Sequence, residues 1–513
     1  MENAISRVCT CGERSAAALP EFRVETRIPG GSWSEKPVEL LLVGAATGHE
    51  PFPPEMLAVF GGIPEGTKMA RAALCEFFSD GPLEVRVTAP GFGGDLHLSA
   101  RKDVPVRRSG PGRLEFSLSG PEMALVRKGD DFLRGLSLWA RPCPAAPDET
   151  RFRHVLRFGP GFHEAGSHPA ISRDAHGAPV VRVEEDDTLV VLEKGARVEA
   201  AFDVRGARHV EICGGGRIDL ARRLPHADGG FSAPVLWGPF RDGALPAVYV
   251  HGGASDVVVR DIAMTCDFRG VCTRFASGVA LENLGIFTAT TNADGVNLIA
   301  SEDVRARSLY VRSQDDCFCA YNNCDSIEWL WDAGAAPRPM RRAALSESFL
   351  AGNARALVFG GHGFSGVRGG PNVLEDVEVS DCRILGNVKP CDQPLPPEEH
   401  RRYWSGIFRI LSQSDELVRG LRFRDIVVEW VPGYAGSAFH LCVRTKDQVS
   451  YKEKSGGWRI EDVSFENVEF RNVPPPGVRV EDVIAAPPDD GTGIGIRRVT
   501  GVPGFVEPPP ARC

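Results

Sequence analysis

The 513-residue chain contains no uninterrupted run of about 20 apolar residues, the length that a membrane-spanning helix needs. Its first residues, MENAISRVCTCGERSAAALPEFRVE, lack the basic segment and following apolar segment of a secretory signal. An excess of basic residues is also missing, since 59 Lys and Arg stand against 68 Asp and Glu. These absences predict a cytoplasmic monomer whose partners include neither a membrane nor nucleic acid.

The 14 cysteines do not form the regular framework of a disulfide-rich domain. Most lie within apolar runs that resemble strands, such as Cys213 in HVEICGGG and Cys382 in VEVSDCRI. Buried free thiols are therefore favoured over disulfides. The spacing of Cys317, Cys319 and Cys324 leaves zinc as a weaker alternative, because no fourth Cys or His ligand is close in sequence.

Two regions of the chain differ in their pattern of apolar residues. From about residue 20 to 145, short runs alternate apolar and polar residues between Gly and Pro clusters, which predicts a small antiparallel β-sandwich. The segment RPCPAAPDET, at 141–150, is typical of a linker. The sequence thus predicts an N-terminal β-domain over 1–150 and a second, larger domain over 158–510.

In the second region a short phrase recurs: apolar, charged, Asp/Asn/Ser, apolar, any residue, apolar. Its central residue advances by 22 positions from Asp261 to Asn283 and by 25 from there to Ser308. A repeat of this length indicates a solenoid. The repeats are rich in Val and Ile, lack the Leu/Asn skeleton of leucine-rich repeats, and show no helical pattern. They predict a right-handed parallel β-helix with about three short strands per turn, which makes the whole chain all-β.

In such a coil, residues one repeat apart lie one above the other. The motif Asn292-Ala293-Asp294-Gly295 precedes Ser313-Gln314-Asp315-Asp316-Cys317 by about one repeat. Three carboxyl groups should therefore gather on one face. Carboxylates that crowd together repel, so one of them is expected to retain a proton near neutral pH. A proton-donating carboxyl beside an ionised carboxylate is the arrangement that glycosidic bond cleavage requires.

These motifs resemble glycoside hydrolase family 28, the polygalacturonases, and family 49 of the same clan, which contains dextranases and isopullulanases. The family pattern is Asn-Thr-Asp-Gly, Gly-Asp-Asp-Cys, Gly-His-Gly and Arg-Ile-Lys. Its counterparts here are Asn292–Gly295, Gln314–Cys317, Gly361–Gly363 and Arg409–Leu411. The resemblance spans about the last two-thirds of the chain. It implies a pectin-lyase-like β-helix, a polysaccharide or oligosaccharide substrate and an inverting mechanism that needs no metal and no cofactor. It also implies secretion, which disagrees with the missing signal.

The resemblance also implies roles for individual residues. Asp315 would be the general acid, while Asp294 and Asp316 would hold and activate the attacking water. His362 would stand beside the acid and tune its protonation. Arg409 would contact the sugar.

Three further residues are expected to bind substrate: Asn292 of the first motif, and Tyr403 and Trp404, whose rings could stack on sugars. Packing within loops is the alternative for both aromatic residues. Leu411 replaces the Lys of the fourth family motif. The loss of that cation opens the substrate range to neutral glucans as well as pectic sugars.

Two other functions remain open. A polysaccharide lyase would share the β-helix but would use calcium-binding acidic residues and a basic residue that abstracts a proton. A carbohydrate-binding β-helix without activity is the other alternative, in which the aspartates would be ordinary turn residues.

Overall fold

The computed structural model describes most of the chain. The described residues are 22–45, 50–51, 68–129, 131–175, 177–220, 245–266, 268–289, 293–322, 338–361, 372–386, 406–412, 416–430, 438–443, 459–472 and 495–503. They contain β-strands, turns and one short 3-10 helix, Glu149–Arg151. Among these residues, no helix is long and apolar enough to cross a membrane.

The N-terminal part is a sandwich of two β-sheets. One has the strand order β2-β1-β6-β9-β8, and the other has β3-β5-β11-β10-β7 with β4 paired to β5. Neighbouring strands are antiparallel, as predicted, except for the parallel pair β5 and β11. The strands are β1 (Arg23–Arg27), β2 (Ser34–Lys36), β3 (Glu39–Ala45), β4 (Glu50–Pro51), β5 (Lys68–Phe78), β6 (Leu83–Thr88), β7 (Leu96–Ala100), β8 (Val106–Gly110), β9 (Arg113–Leu118), β10 (Glu122–Lys128) and β11 (Asp131–Arg141).

The rest of the described chain is a coil of mostly short strands, which pair in parallel apart from the antiparallel pair Ile171–Arg173 and Pro179–Val183. Its first strands are β12 (His154–Phe158), β13 (Gly161–His163), β14 (Ile171–Arg173), β15 (Pro179–Val183), β16 (Thr188–Leu192), β17 (Ala196–Val198), β18 (Ala201–Arg205), β19 (Arg208–Cys213), β20 (Arg217–Asp219), β21 (Val248–His251), β22 (Ser255–Arg260), β23 (Ala263–Cys266), β24 (Val271–Arg274), β25 (Ser277–Glu282) and β26 (Gly285–Thr288). The later strands are β27 (Val296–Ile299), β28 (Glu302–Arg307), β29 (Tyr310–Ser313), β30 (Phe318–Tyr321), β31 (Met340–Ser346), β32 (Phe349–Gly352), β33 (Leu357–Gly360), β34 (Asn372–Gly386), β35 (Phe408–Ser412), β36 (Glu416–Trp430), β37 (Phe439–Val443), β38 (Arg459–Arg471) and β39 (Gly495–Thr500).

These strands form two sheets that run the length of the coil. The long sheet has 18 strands, and the short sheet has ten, in the order β14-β15-β18-β21-β24-β27-β30-β33-β35-β37. In a central turn such as β22, β23 and β24, the chain passes through the long sheet twice and the short sheet once. Each strand pairs in parallel with its counterpart one turn later. The predicted all-β fold built on a parallel β-helix is confirmed.

The recurring phrase of the sequence marks sharp corners in the long sheet. Two residues separate β22 from β23, and the first of them, Asp261, has a positive φ. Two residues also separate β25 from β26, and there the first, Asn283, has a positive φ. Asn and Asp adopt this left-handed conformation more readily than most other residues. Asn283 also donates from Nδ2 to Oδ1 of Asp261, 2.7 Å away on the preceding turn. The column of corner residues is Asp261, Asn283, Ser308, Glu347, Asp381, Asp425 and Asn467.

A second column of positive-φ residues lies five positions earlier in the chain. It includes Asp256, Asp303, Asp376 and Asp462, with Arg342 at the turn between Asp303 and Asp376. The sequences LEDVEV, at 374–379, and IEDV, at 460–463, also fit the recurring phrase, but they belong to this column rather than to the first. The sequence repeat therefore combines two structural positions, and both require a residue that tolerates a left-handed backbone.

The sandwich covers one flank of the coil. Trp139 of β11 is 1% exposed and packs in a single apolar cluster with residues of the long sheet, including Phe287 and Tyr310. Tyr310 donates its hydroxyl to the Ala124 carbonyl, 2.5 Å away. Arg312 donates from Nη1 to the Gly135 carbonyl and to Ser137 Oγ, each at 3.0 Å. The two parts thus share a buried apolar interface that also contains hydrogen bonds between them.

Candidate active site

Three aspartates meet where two consecutive turns enter the short sheet. Asp294 lies two residues before β27, and Asp316 lies two residues before β30. Asp315 precedes Asp316 directly. One carboxylate oxygen from each residue lies within 4.8 Å of the other two. The structure therefore brings together the three acidic residues that the sequence spacing placed on one face.

The backbone explains why these side chains stack. The Gly270 N–H donates to the Asp294 carbonyl at 3.0 Å, and the Gly295 N–H donates to the Asp316 carbonyl at 2.8 Å. The Cys317 N–H then donates to the Arg355 carbonyl at 2.9 Å. Each bond joins one turn of the coil to the next.

On four consecutive turns, a charged residue lies two positions before a strand of the short sheet. These residues are Arg269, Asp294, Asp316 and Arg355. We call this set the charge column. Its two carboxylates are flanked by one guanidinium on each side.

Arg355 binds the Asp316 carboxylate through two nitrogens of its guanidinium. Nε donates to Oδ1 at 2.6 Å, and Nη2 donates to Oδ2 at 2.8 Å. The Arg355 backbone N–H also donates to Oδ1, at 3.2 Å. Both side chains are buried, so water does not screen the pair. Burial opposes the charge on Arg355, but Asp316 and Asp315 outweigh it and raise the pKa of the guanidinium.

Asp294 has weaker partners at the other side of the column. Its Oδ2 accepts a hydrogen bond from Asn297 Nδ2 at 2.8 Å and lies 3.3 Å from Arg269 Nε. Burial raises the pKa of Asp294, Arg269 opposes that shift, and Asp316 adds to it. Asp294 is therefore ionised less readily than an ordinary aspartate.

Asp315 is the carboxyl that keeps a proton most firmly. Burial, followed by the charges of Asp316 and Asp294, raises its pKa well above the ordinary value of 3.8. Its Oδ1 is buried and has no hydrogen-bond partner among the described residues. The nearest cation is Arg355, whose Nη2 lies 3.7 Å from Oδ1. A carboxyl that favours its proton thus lies beside two carboxyls that are paired with arginine, the arrangement that acid–base chemistry needs.

Hydroxyl groups fix the turns that carry the aspartates. Thr288 donates from Oγ1 to the Ala293 carbonyl at 2.7 Å and accepts from the Gln314 N–H at 2.9 Å. Ser313 donates from Oγ to the Asp315 carbonyl at 2.8 Å. These bonds link the two acidic turns to each other, so their carboxyl groups are held in place before any ligand arrives.

Gly295 leaves no room for a side chain. A Cβ at this position would lie 2.3 Å from Val311 Cγ1 and 2.4 Å from the Cys317 carbonyl oxygen. We expect Gly295→Ala to lower the free energy of unfolding by about 1–3 kcal/mol and to reduce activity, because the backbone must move beside Asp294. Denaturant unfolding would measure the loss.

Gly159→Ala is a matched control for this substitution, since nothing lies within 4 Å of its added Cβ. An equal loss in the two variants would contradict a packing origin.

Arg409 is placed on the outer face of the short sheet. It follows Cys319 and Val358 in the same register, two strands beyond β30. Its side chain is buried, and its Nε has no hydrogen-bond partner among the described residues. Leu411, on the same strand, is buried as well. Contact of Arg409 with a sugar stays a prediction.

Four other predicted site residues lie outside the described residues: Asn292, His362, Tyr403 and Trp404. Their roles stay predictions. Arg355 occupies the next position of the stack after Asp294 and Asp316, and the sequence did not predict it there. Its signal was weak, because Arg355 follows Asp316 by 39 residues rather than by one ordinary repeat.

The three aspartates have the geometry of possible metal ligands. However, Arg355 already engages both oxygens of Asp316, Arg269 lies beside Asp294, and Asp315 favours its proton. A divalent cation would have to displace a guanidinium from this cluster. The zinc alternative fails for the described cysteines, because Cys317 packs in the coil interior and Cys319 in a separate cluster on the outer face.

No family model matches the chain, and no curated protein matches it. Solved structures do show similarity. One is a Family 28 exopolygalacturonase from Yersinia enterocolitica, with 12% identity and a TM-score of 0.43, covering 82% of this chain and 89% of that one. Another is Dex49A from Penicillium minioluteum, with 11% identity and a TM-score of 0.46, covering 94% of both chains.

A third is a hyperthermoactive exopolygalacturonase from Thermotoga maritima, with 12% identity and a TM-score of 0.38, covering 64% of this chain and 82% of that one. At these identities the function has to be argued from the site itself.

Proposed function

We propose that this protein is a glycoside hydrolase that cleaves a polysaccharide or oligosaccharide with Asp294, Asp315 and Asp316. The observation that carries the proposal is the state of the cluster: one carboxyl favours its proton while its neighbours are paired with cations. Glycosidic cleavage needs this combination, because one group must give a proton as another takes one.

The reaction follows from those states. Asp315 transfers its proton to the glycosidic oxygen as the bond from that oxygen to the anomeric carbon breaks. A water molecule forms the new bond to the anomeric carbon and gives its proton to Asp294 or Asp316. One proton leaves the protein and one returns, so the site ends with the same charge.

We propose inversion at the anomeric carbon. Asp316 is a poor nucleophile, because both of its oxygens are engaged by Arg355. Asp294 and Asp316 lie on adjacent turns and could hold a water molecule between them. The short separation of the carboxyl oxygens is closer to the roughly 5–5.5 Å of retaining enzymes than to the roughly 6.5–9.5 Å of most inverting ones. The first-formed anomer, followed by NMR, decides the point, and retention would make Asp294 the nucleophile.

A lyase is the less favoured reaction. It needs a basic residue that can lose a proton and then take one from the sugar. Arg355 is paired with Asp316, which raises the pKa of the guanidinium and opposes that role. Arg269 lies beside Asp294 in the same way.

The substrate is proposed to be a pectic polymer such as polygalacturonate, or a neutral glucan such as dextran. Wild-type protein would be incubated with polygalacturonate, rhamnogalacturonan, dextran and pullulan, with and without a chelator. We expect new reducing ends from one glycan, no ultraviolet absorbance from a new double bond, and no loss with the chelator. Ultraviolet-absorbing products would indicate a lyase. Binding of a glycan without any cleavage would support the binding-protein alternative.

A further inference from the structure

Arg355, at one end of the charge column, neither gives nor takes a proton in the proposed reaction. Arg355 lies one turn beyond Asp316, with both side chains buried. Its guanidinium is placed unequally between the two neighbouring acids. It makes two hydrogen bonds to Asp316, but its closest approach to Asp315 is 3.7 Å. A fixed positive charge in this position stabilises the ionised form of Asp316 far more than that of Asp315.

Geometry also separates Asp316 from Asp294. A carboxylate whose two oxygens are both engaged by one guanidinium loses basicity and rotational freedom. Asp294 has only one oxygen shared between Asn297 and Arg269, and the contact with Arg269 is longer, at 3.3 Å. Asp294 thus remains the better proton acceptor of the two.

We propose that Arg355 is a positioning residue that assigns different tasks to the three aspartates. It keeps Asp316 ionised and fixed in orientation, so that Asp316 orients the water. It leaves the proton on Asp315, the acid. It also leaves Asp294 to accept the proton of the attacking water. The last assignment rests on the proposed hydrolysis, whereas the effect of Arg355 on protonation does not.

The surroundings of Arg355 support a charge that stays constant with pH. Asp315 and Asp316 face it from the turn before β30, and Tyr321 acts on it from β30 itself. On the far side of the cluster, Asp294 is paired with Arg269. An imidazole at this position would lose its charge near its ordinary pKa of about 6.5. A guanidinium keeps its charge, so this residue imposes no limit on activity at alkaline pH.

Infrared spectroscopy during a pH titration tests the proposed effect of Arg355 on the protonation of the aspartates, and it needs no substrate. Wild type should show the band of one buried carboxylic acid at neutral pH, and this band should disappear in Asp315→Asn. Arg355→Gln should gain a second carboxylic-acid band, from Asp316. The double variant Arg355→Gln/Asp316→Asn should lose that second band again. An Arg355→Gln spectrum identical to that of wild type would overturn the proposal.

The matched control is Arg342→Gln. Arg342 pairs with Asp303 through Nε and Nη2, at 2.7 and 2.8 Å, which copies the geometry at Arg355 on an exposed surface. Its infrared titration and activity should match those of wild type. A second band in this control as well would show that the effect does not belong to the site.

Arg355→Lys provides a variant that keeps the charge if Arg355→Gln fails to fold. Lysine cannot hold both oxygens of Asp316 as a planar guanidinium does. We expect the wild-type carboxyl bands with a kcat lower by about 10-fold to 100-fold and a KM little changed. Full activity in this variant would contradict the positioning role. If no glycan is cleaved by any variant, the infrared result still decides the effect of Arg355, and only the proposed hydrolysis fails.

Discussion

Asp315→Asn should lower kcat by about 10²-fold to 10⁴-fold, which is the range typical of losing a general acid. The same substitution should raise the free energy of unfolding at neutral pH. Burial and two neighbouring carboxylates raise the pKa of Asp315 in the folded chain. The folded protein therefore binds this proton more tightly than the unfolded chain does, and stability falls as the pH rises from 3.8 towards the raised value. An amide does not ionise and escapes that cost.

Activity and unfolding should be measured on the same preparations across pH. Asp303→Asn is a suitable control, because Asp303 is exposed and pairs with Arg342 on the outer surface. It should keep its activity and gain no stability. Loss of activity in Asp315→Asn together with loss of stability would mean that Asp315 is a structural residue. Activity that survives in Asp315→Asn would overturn its assignment as the acid.

Trp139→Ala should cost about 3–5 kcal/mol in the free energy of unfolding, because it removes a large buried side chain from the interface between sandwich and coil. The ring packs so closely on the coil that a Cβ at Gly285 would lie 2.4 Å from it. Denaturant unfolding, followed by both far-ultraviolet dichroism and activity, would measure the loss and show whether the two parts unfold together.

Ile28→Ala is the corresponding control, since Ile28 lies in the same sandwich but is 67% exposed. Its cost should stay within about 0.5 kcal/mol. A small cost for Trp139→Ala would indicate that the sandwich is only loosely attached, as a separate binding module would be.

The interface also connects the sandwich to the active site. Arg312 lies three residues before Asp315 and donates to Gly135 and Ser137 of β11. Burial lowers the pKa of this guanidinium to about 10. The cost of burying a cation here is offset by hydrogen bonds that the sandwich supplies. Damage to the interface should therefore disturb the turn that holds the acid.

Much of this architecture could be predicted from the sequence. The coil was predicted from the repeat that contains Asp261, Asn283 and Ser308. A corner with a left-handed backbone accepts few residue types, so it leaves a repeating pattern in the sequence. The coil then converted the spacing of Asp294 and Asp316 into spatial proximity. The parallel pair within the sandwich could not be predicted, because pairing between distant strands leaves no local pattern.

The two arginines of the charge column were missed for a different reason. Arginine is common on the surface of this chain, so neither Arg269 nor Arg355 is distinctive by residue type. Their importance comes from stacking on Asp294 and Asp316, which depends on the register of whole turns. The step from Asp316 to Arg355 is longer than the other steps, so counting residues could not establish that register.

The short corners of the long sheet have a consequence for how such a protein could change. In every turn from Asp261 to Asn467, the corner within the long sheet stays short. The connections before and after the strands of the short sheet vary widely in length, from a few residues to the stretch between β20 and β21. New loops can therefore be inserted on either side of the aspartates while the corner that sets the coil stays intact. Such insertions can change the substrate preference while the coil itself stays the same.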